Sequence, residues 1–190
     1  TNNRWITANE IKEIEPHCTG IKGIWVPYTG IIDFVGATAK MLEVTESLND
    51  QSKVVFSEEV ILYSEEAGVK QVRTDKNSYT AKYMVFCGGL QSDRLAKKDG
   101  VDLDMSIVGF RGDYYELAEG AKHKVRNLIY PVPNPEFPFL GVHFTRMTDG
   151  SIECGPNAVF SFKREGYSKT DFSLKDTTEA LAFKGTWNLL

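Results

Sequence analysis

The sequence predicts an α+β chain, with an antiparallel sheet of several strands in its second half and helices on either side. Three observations carry that reading. Short β-rich runs between residues 106 and 154 are separated by a proline-rich turn and by Asp149-Gly150, a hairpin pair. Near the start, Thr7 stands three residues before Glu10, a capping box in which each side chain satisfies the other's backbone N–H. Near the end, residues 173–183 form a helical stretch that closes near Gly185.

Taken in order, Trp5 to Pro16 reads as a helix, with Ile6 and Ile11 as a hydrophobic staple and Pro16 as its stop. Asp33 is an N-cap for a second helix. Behind it, Phe34, Ala37, Met41, Val44 and Leu48 recur at three- and four-residue intervals and make one apolar face, which runs out at Asn49-Asp50. Lys53 to Thr80 has a β pattern with a turn at Ala67-Gly68. Tyr83-Met84-Val85-Phe86 is continuously apolar and predicts a strand buried on both faces, as in a parallel sheet. Cys87-Gly88-Gly89 comes next, then a helix from Ser92 to Lys98 that Gly100 terminates.

Residues 106–117 read as a strand whose Arg111, Asp113 and Tyr115 point one way and Phe110 and Tyr114 the other. Asn127 to Pro131 is a further short strand. The turn Pro131 to Pro138 leads into Phe139 to Met147, which the hairpin returns to Ser151 to Cys154. The chain stops at Trp187-Asn188-Leu189-Leu190, which resembles the first turn of another helix, and it opens without Met. It therefore reads as an internal fragment.

Bulk properties narrow the function classes. The net charge of −4 gives no drive toward nucleic acid or anionic lipid. The three cysteines, Cys18, Cys87 and Cys154, form no C-x-x-C pair, so no zinc site or disulfide framework is suggested, and a cytoplasmic compartment with reduced thiols is the simplest reading. No metal site is expected. No apolar run approaches the roughly 18 residues of a bilayer span.

Three local features carry chemistry. A β-run ending in Gly88-Gly89 before a helix lets backbone approach a nucleotide, although such a pair on its own more often serves as plain turn chemistry. No G-x-G-x-x-G occurs. Arg111 lies mid-strand between glycines, where it either pairs with Asp113 or clamps a substrate carboxylate. His143 sits on a strand with Thr145 on its face; it is either a packing residue or, with Thr145 and Asn157 near it, part of a polar site.

Together these stretches resemble one family. GFRGDYYEL (109–117), the long segment from Asn127 to Val159, and FKREGY (162–167) resemble the L-2-hydroxyglutarate oxidase/dehydrogenase family, within the D-amino-acid-oxidase-like flavoproteins. PYTGIIDF (27–34) and VFCGGLQSDRLA (85–96) fit the same pattern.

The resemblance implies a two-part fold: an antiparallel substrate sheet, and part of a Rossmann-like FAD-binding domain. The expected division is 1–52, a helical connection and the start of the substrate domain; 53–100, the partial FAD domain; 101–172, the sheet; and 173–190, a C-terminal helix. FAD is the implied cofactor, with Val55 or Val60 near its adenine side and Cys87, Gly88 and Gly89 beside it. Arg111, Tyr115, Thr145 and Asn157 are implied to bind substrate on one polar face, with His143 as candidate base.

The implied reaction oxidises L-2-hydroxyglutarate to 2-oxoglutarate by hydride transfer to flavin N5, and this chain by itself is expected to be colourless and inactive. The alternatives are a related flavoenzyme acting on glycerol 3-phosphate or an amino acid, and a non-catalytic ligand-binding module. The implied partner is a small 2-hydroxy acid. A quinone acceptor, and a peripheral contact with the inner membrane to reach it, are compatible with the resemblance, and oligomeric state is open.

Overall fold

A computed structural model describes residues 2–136, 139 and 141–188. In chain order the elements are β1 (Arg4–Thr7), α1 (Ala8–Ile14), β2 (Lys22–Trp25), α2 (Phe34–Leu48), β3 (Val60–Glu66), β4 (Val69–Thr74), β5 (Ser78–Ala81), α3 (Ser92–Lys98), β6 (Phe110–Glu116), β7 (His143–Arg146), β8 (Ile152–Phe160) and α4 (Leu174–Ala182). They form two compact units, one of residues 1–33 with 108–190 and one of residues 34–107.

The division thus falls at 33/34 and 107/108, where the sequence suggested 52/53 and 100/101. The helix at 34–48 is tied to the residues on its C-terminal side: the Val54 N–H donates to Glu46 Oε1 at 3.3 Å. Residues 1–33 reach forward across the chain instead. Glu15 accepts hydrogen bonds from the backbone N–H groups of Arg126 and Asn127.

The first unit begins with a β-hairpin and a capped helix. Thr7 takes extended dihedrals (φ −81°, ψ 168°) as N-cap and completes the capping box with Glu10. Residues before an N-cap are extended, so Arg4–Thr7 forms a strand paired with Trp25–Lys22, where the sequence suggested the first helical turn. The chain returns as a three-stranded antiparallel sheet of order β6-β8-β7. Ile152 and Val125 anchor its core, at 0% and 4% exposed. The helix at 174–182 is capped by Ser173, whose Oγ accepts from the Asp176 N–H at 3.2 Å. Its Thr177 hydroxyl donates to the Phe162 carbonyl at 2.7 Å, which ties the helix to the segment just after β8. Residues 184–188 make a 3₁₀ turn; Leu189 and Leu190 lie outside the described residues.

One irregularity sets the face of every side chain on the sheet. Asp113 pairs with Asn157, but Tyr115 pairs with Cys154, so β8 has one more residue than β6 between these pairs. This bulge includes Gly155 and Pro156, joined by a cis peptide. An extra residue inverts the in/out alternation of everything beyond it on the bulged strand.

The second unit carries the meander β3-β4-β5, antiparallel throughout. The run Tyr83–Phe86 is not a strand: Tyr83 and Val85 are 86% and 83% exposed. A strand buried on both faces needs a hydrogen-bonding neighbour on each side, and among the described residues the meander ends at β5 without reaching this segment. The apolar positions of α2 are likewise exposed, Phe34, Met41 and Leu48 among them. No described helix is long and apolar enough to cross a membrane.

Candidate functional site

The sheet register sorts the expected site residues onto two faces. Directly paired residues share a face and neighbours along a strand alternate. Arg111, Asp113 and Tyr115 therefore lie on one face with Val159, Asn157, Cys154 and Phe144. His143 pairs with Gly155, and Thr145 with Glu153, on the opposite face. Tyr114 joins them there, its ring edge-on to His143 at 6.3 Å.

The expectation that Arg111, Tyr115, His143, Thr145 and Asn157 share one face is thus corrected: the structure groups Arg111, Tyr115 and Asn157, and separately His143 and Thr145. The cause is the bulge. Without its extra residue, Tyr115 would pair with Gly155 and His143 would fall on the arginine's side.

Arg111 is engaged within the unit. Its Nε donates to Asp113 Oδ1 at 2.6 Å, Nη2 to Asp113 Oδ2 at 3.3 Å, and Nη1 to the Ser168 carbonyl at 2.6 Å. This is the two-pronged carboxylate geometry suited to guanidinium, satisfied by an internal partner. The pairing lowers the Asp113 pKa and raises that of Arg111. Of the two readings left open for Arg111, the internal pair is the observed geometry. Tyr115 and Asn157 are exposed on the same face.

The opposite face holds a histidine enclosed by aromatic rings. His143 is 6% exposed. Tyr130 stacks on it, with ring centroids 4.6 Å apart and planes 21° apart. Tyr130 arrives there because Ile129 bridges to Phe144 through a reciprocal pair of backbone hydrogen bonds of 3.0 and 2.9 Å.

His143 Nδ1 lies 3.0 Å from the Gly141 carbonyl. A carbonyl only accepts, so Nδ1 carries the proton. In the neutral ring Nε2 is then the bare, basic nitrogen. Nε2 has no hydrogen-bond partner among the described residues.

Tyr114 completes the enclosure. Its phenol pKa is raised, first by burial and then by the charge of Glu153, so it stays a neutral donor through the physiological range. The sheet is built to admit this ring: a Cβ on Gly155 would stand 2.6 Å from Tyr114 Cδ1. No lysine or arginine falls on this face in the register. Among the described residues no cluster of His, Cys, Asp or Glu is arranged to hold a metal.

Tyr114, Tyr130 and the Gly141 carbonyl were not selected from sequence. Tyr114 was correctly placed opposite Arg111, but pairing it with His143 requires the bulged register. Part of the turn before β7 (Phe137, Pro138 and Leu140) lies outside the described residues.

In the second unit, Gly89 has φ +51°, and nothing lies within 4 Å of where its Cβ would stand. Gly88 instead packs against Leu95, whose Cδ1 would lie 2.3 Å from an added Cβ. Cys87 and Val55 are exposed. An open glycine turn fits one edge contact with a nucleotide cofactor. The rest of a dinucleotide cradle is not formed by the described residues.

The first unit thus presents an enclosed histidine on a small antiparallel sheet, and the second an open glycine turn. The chain belongs to the FAD-dependent oxidoreductase family, which it matches over residues 1–183. Within that family it is similar to L-2-hydroxyglutarate dehydrogenases: 42% identical over 183 residues to that of Indibacter alkaliphilus, 43% over 187 to that of Escherichia coli K12, and 40% over 189 to the mitochondrial protein of Caenorhabditis elegans. These alignments cover 96–98% of this chain. The chain spans less than half the length of those relatives, 45%, 44% and 43% respectively. Among solved structures, the FAD-bound L-α-glycerophosphate oxidase of Mycoplasma pneumoniae superposes with a TM-score of 0.64 at 18% identity, over 99% of this chain and 48% of that one. At that identity the likeness concerns the fold.

Proposed function

We propose that the full-length protein oxidises a 2-hydroxy acid, L-2-hydroxyglutarate, to the 2-oxo acid, with His143 as the base. The similarity to dehydrogenases of that name supports the substrate. The observation that carries the residue assignment is the bond from His143 Nδ1–H to the Gly141 carbonyl. It holds the imidazole in the tautomer whose Nε2 accepts a proton.

FAD, when bound, supplies the acceptor for the C2 hydride. The chain's own residues do the rest. His143 Nε2 takes the proton of the C2 hydroxyl as the carbonyl forms, the role of a positioned general base. Tyr130 covers one face of the imidazole and Tyr114 its edge, which fixes the ring and limits water around it. Thr145 lies on the same face, where its hydroxyl can bind substrate. In this reading the cationic partner of the substrate carboxylates comes from outside the His143 face, since Arg111 is committed to Asp113 across the sheet. Gly89 and its neighbours Cys87 and Gly88 give the cofactor a backbone contact, with Val55 toward its adenine end.

The test is a substrate panel on the full-length flavoprotein: L-2-hydroxyglutarate, its D enantiomer, glycerol 3-phosphate and several amino acids. Formation of 2-oxoglutarate from the L enantiomer alone supports the proposal; turnover of glycerol 3-phosphate or an amino acid in its place contradicts it. Reduction of a soluble quinone analogue, compared with oxygen uptake, then separates a dehydrogenase, which passes electrons to a membrane quinone, from an oxidase.

A further inference from the structure

We infer that Glu15 is a positioning residue for the reacting face, holding Tyr130 on His143 from more than a hundred residues away in sequence. This rests on the proposed role of that face in catalysis.

Glu15 is 5% exposed, an unusual place for a carboxylate. It caps the C-terminal end of α1, yet its side chain is directed to a different part of the unit. Oε1 accepts from the Asn127 N–H at 2.6 Å, from Asn127 Nδ2 at 2.8 Å and from the Arg126 N–H at 3.1 Å; Oε2 accepts from the same Arg126 N–H at 3.0 Å. Two successive backbone N–H groups and a side-chain amide thus converge on one buried carboxylate. Hydrogen bonds to a charged group are about twice as strong as neutral ones.

The segment so held is the one that carries Tyr130. It is pinned at three points: at Val125, whose carbonyl accepts from Arg146 Nη1 at 2.8 Å; at 126–127 by Glu15; and at Ile129 by the bridge to Phe144. Arg146 and Phe144 belong to β7, the strand of His143. Glu15 alone comes from outside the sheet. It therefore ties the segment to α1 as well as to the strand, and so constrains the lie of the Tyr130 ring on the imidazole. No sequence motif links Glu15 to His143; among the described residues the connection runs through the folded segment 125–130.

The test uses the full-length flavoprotein and the variants Glu15→Ala, Glu15→Gln, Tyr130→Ala and the double variant Glu15→Ala/Tyr130→Ala. The first readout is independent of turnover. The carbon-bound imidazole proton of His143, assigned by its loss in His143→Asn, feels the ring current of the stacked Tyr130. Removing the ring in Tyr130→Ala shifts that resonance, and Glu15→Ala shifts it in the same direction. The second readout is kinetic: Glu15→Ala lowers kcat by about ten- to a hundredfold with a smaller change in KM, as expected for misplacement of a reacting group. Glu15→Gln, which keeps one acceptor oxygen, recovers part of the loss. The double variant is no slower than Tyr130→Ala alone, because both changes act through one contact.

A His143 resonance unmoved in folded Glu15→Ala, or single losses that multiply in the double variant, overturns the inference. Should Glu15→Ala fail to fold, Glu15→Gln carries the same spectroscopic comparison. If the resonance moves in both single variants while kcat stays unchanged in both, the tie itself stands, and the assignment of this face to catalysis is what fails.

Discussion

Tyr130 and His143 lie ring on ring, 4.6 Å between centroids and 21° between planes, on the face of the sheet turned away from Arg111. The stack depends on the flat ring and not on the phenol oxygen, since no hydrogen bond joins the pair. Tyr130→Phe in the full-length enzyme should therefore keep turnover within about threefold of the parent, the range of a change that removes no packed contact. Tyr130→Leu should lower kcat by about tenfold or more, because an aromatic pair contributes about 0.5–1.5 kcal/mol and also orients the imidazole. Steady-state kinetics on the two variants checks this.

Arg111, paired with Asp113 on its own strand, ties the sheet to the 163–172 segment through the Ser168 carbonyl. Arg111→Lys loses the two-pronged geometry. Its expected signature is a lowered thermal midpoint and faster proteolysis near Ser168, with KM for L-2-hydroxyglutarate within about threefold of the parent. A much larger rise in KM with unchanged stability would return Arg111 to the substrate.

Gly155 is the place where the bulge and Tyr114 meet. A Cβ there would come within 2.8 Å of Tyr114 Cγ and 2.9 Å of the Asp113 carbonyl. The ring and the backbone would both have to shift, so Gly155→Ala should destabilise the first unit by about 1–3 kcal/mol and lower kcat with it. Gly120→Ala is the control, since nothing lies within 4 Å of its added methyl. Thermal unfolding of the two variants separates a steric effect from a general glycine effect.

Acid should weaken the first unit in a defined window. The Glu10 pKa falls from its ordinary 4.5 to about 2, chiefly because its carboxylate accepts the Thr7 backbone N–H and then the Arg4 side chain. Asp113, paired with Arg111, and Asp171, bonded to the Ser168 backbone, are also lowered. A carboxyl whose folded pKa is depressed stabilises the fold fully above its unfolded value and loses that contribution as pH falls through the folded value. The Glu10 contribution should disappear between pH 4.5 and about 2. Glu10→Gln should flatten that part of the dependence of thermal midpoint on pH.

Local signals were legible wherever the chemistry is local. The Thr7–Glu10 capping box and the Asp149-Gly150 turn are each set by residues within three or four positions of one another. The alternation of Arg111 and Tyr114 along β6 was also readable, because it stems from strand geometry. The face of His143 was not: it depends on one extra residue in a different strand, and a single-residue shift inverts everything beyond it. Tyr130 and Glu15 were invisible for a related reason, since their partners are distant in sequence, more than a hundred residues away for Glu15. The apolar run at 83–86 misled because continuous hydrophobicity implies a paired strand on each side, and among the described residues no strand pairs with it.

The most direct test of the role given to His143 is His143→Asn in the full-length flavoprotein. Asparagine keeps a donor for the Gly141 carbonyl and removes the basic nitrogen. With flavin content equal to the parent, kcat on L-2-hydroxyglutarate should fall by about 10²–10⁴, the usual contribution of a positioned base. A variant that binds flavin normally and turns over within a few-fold of the parent would contradict the assignment.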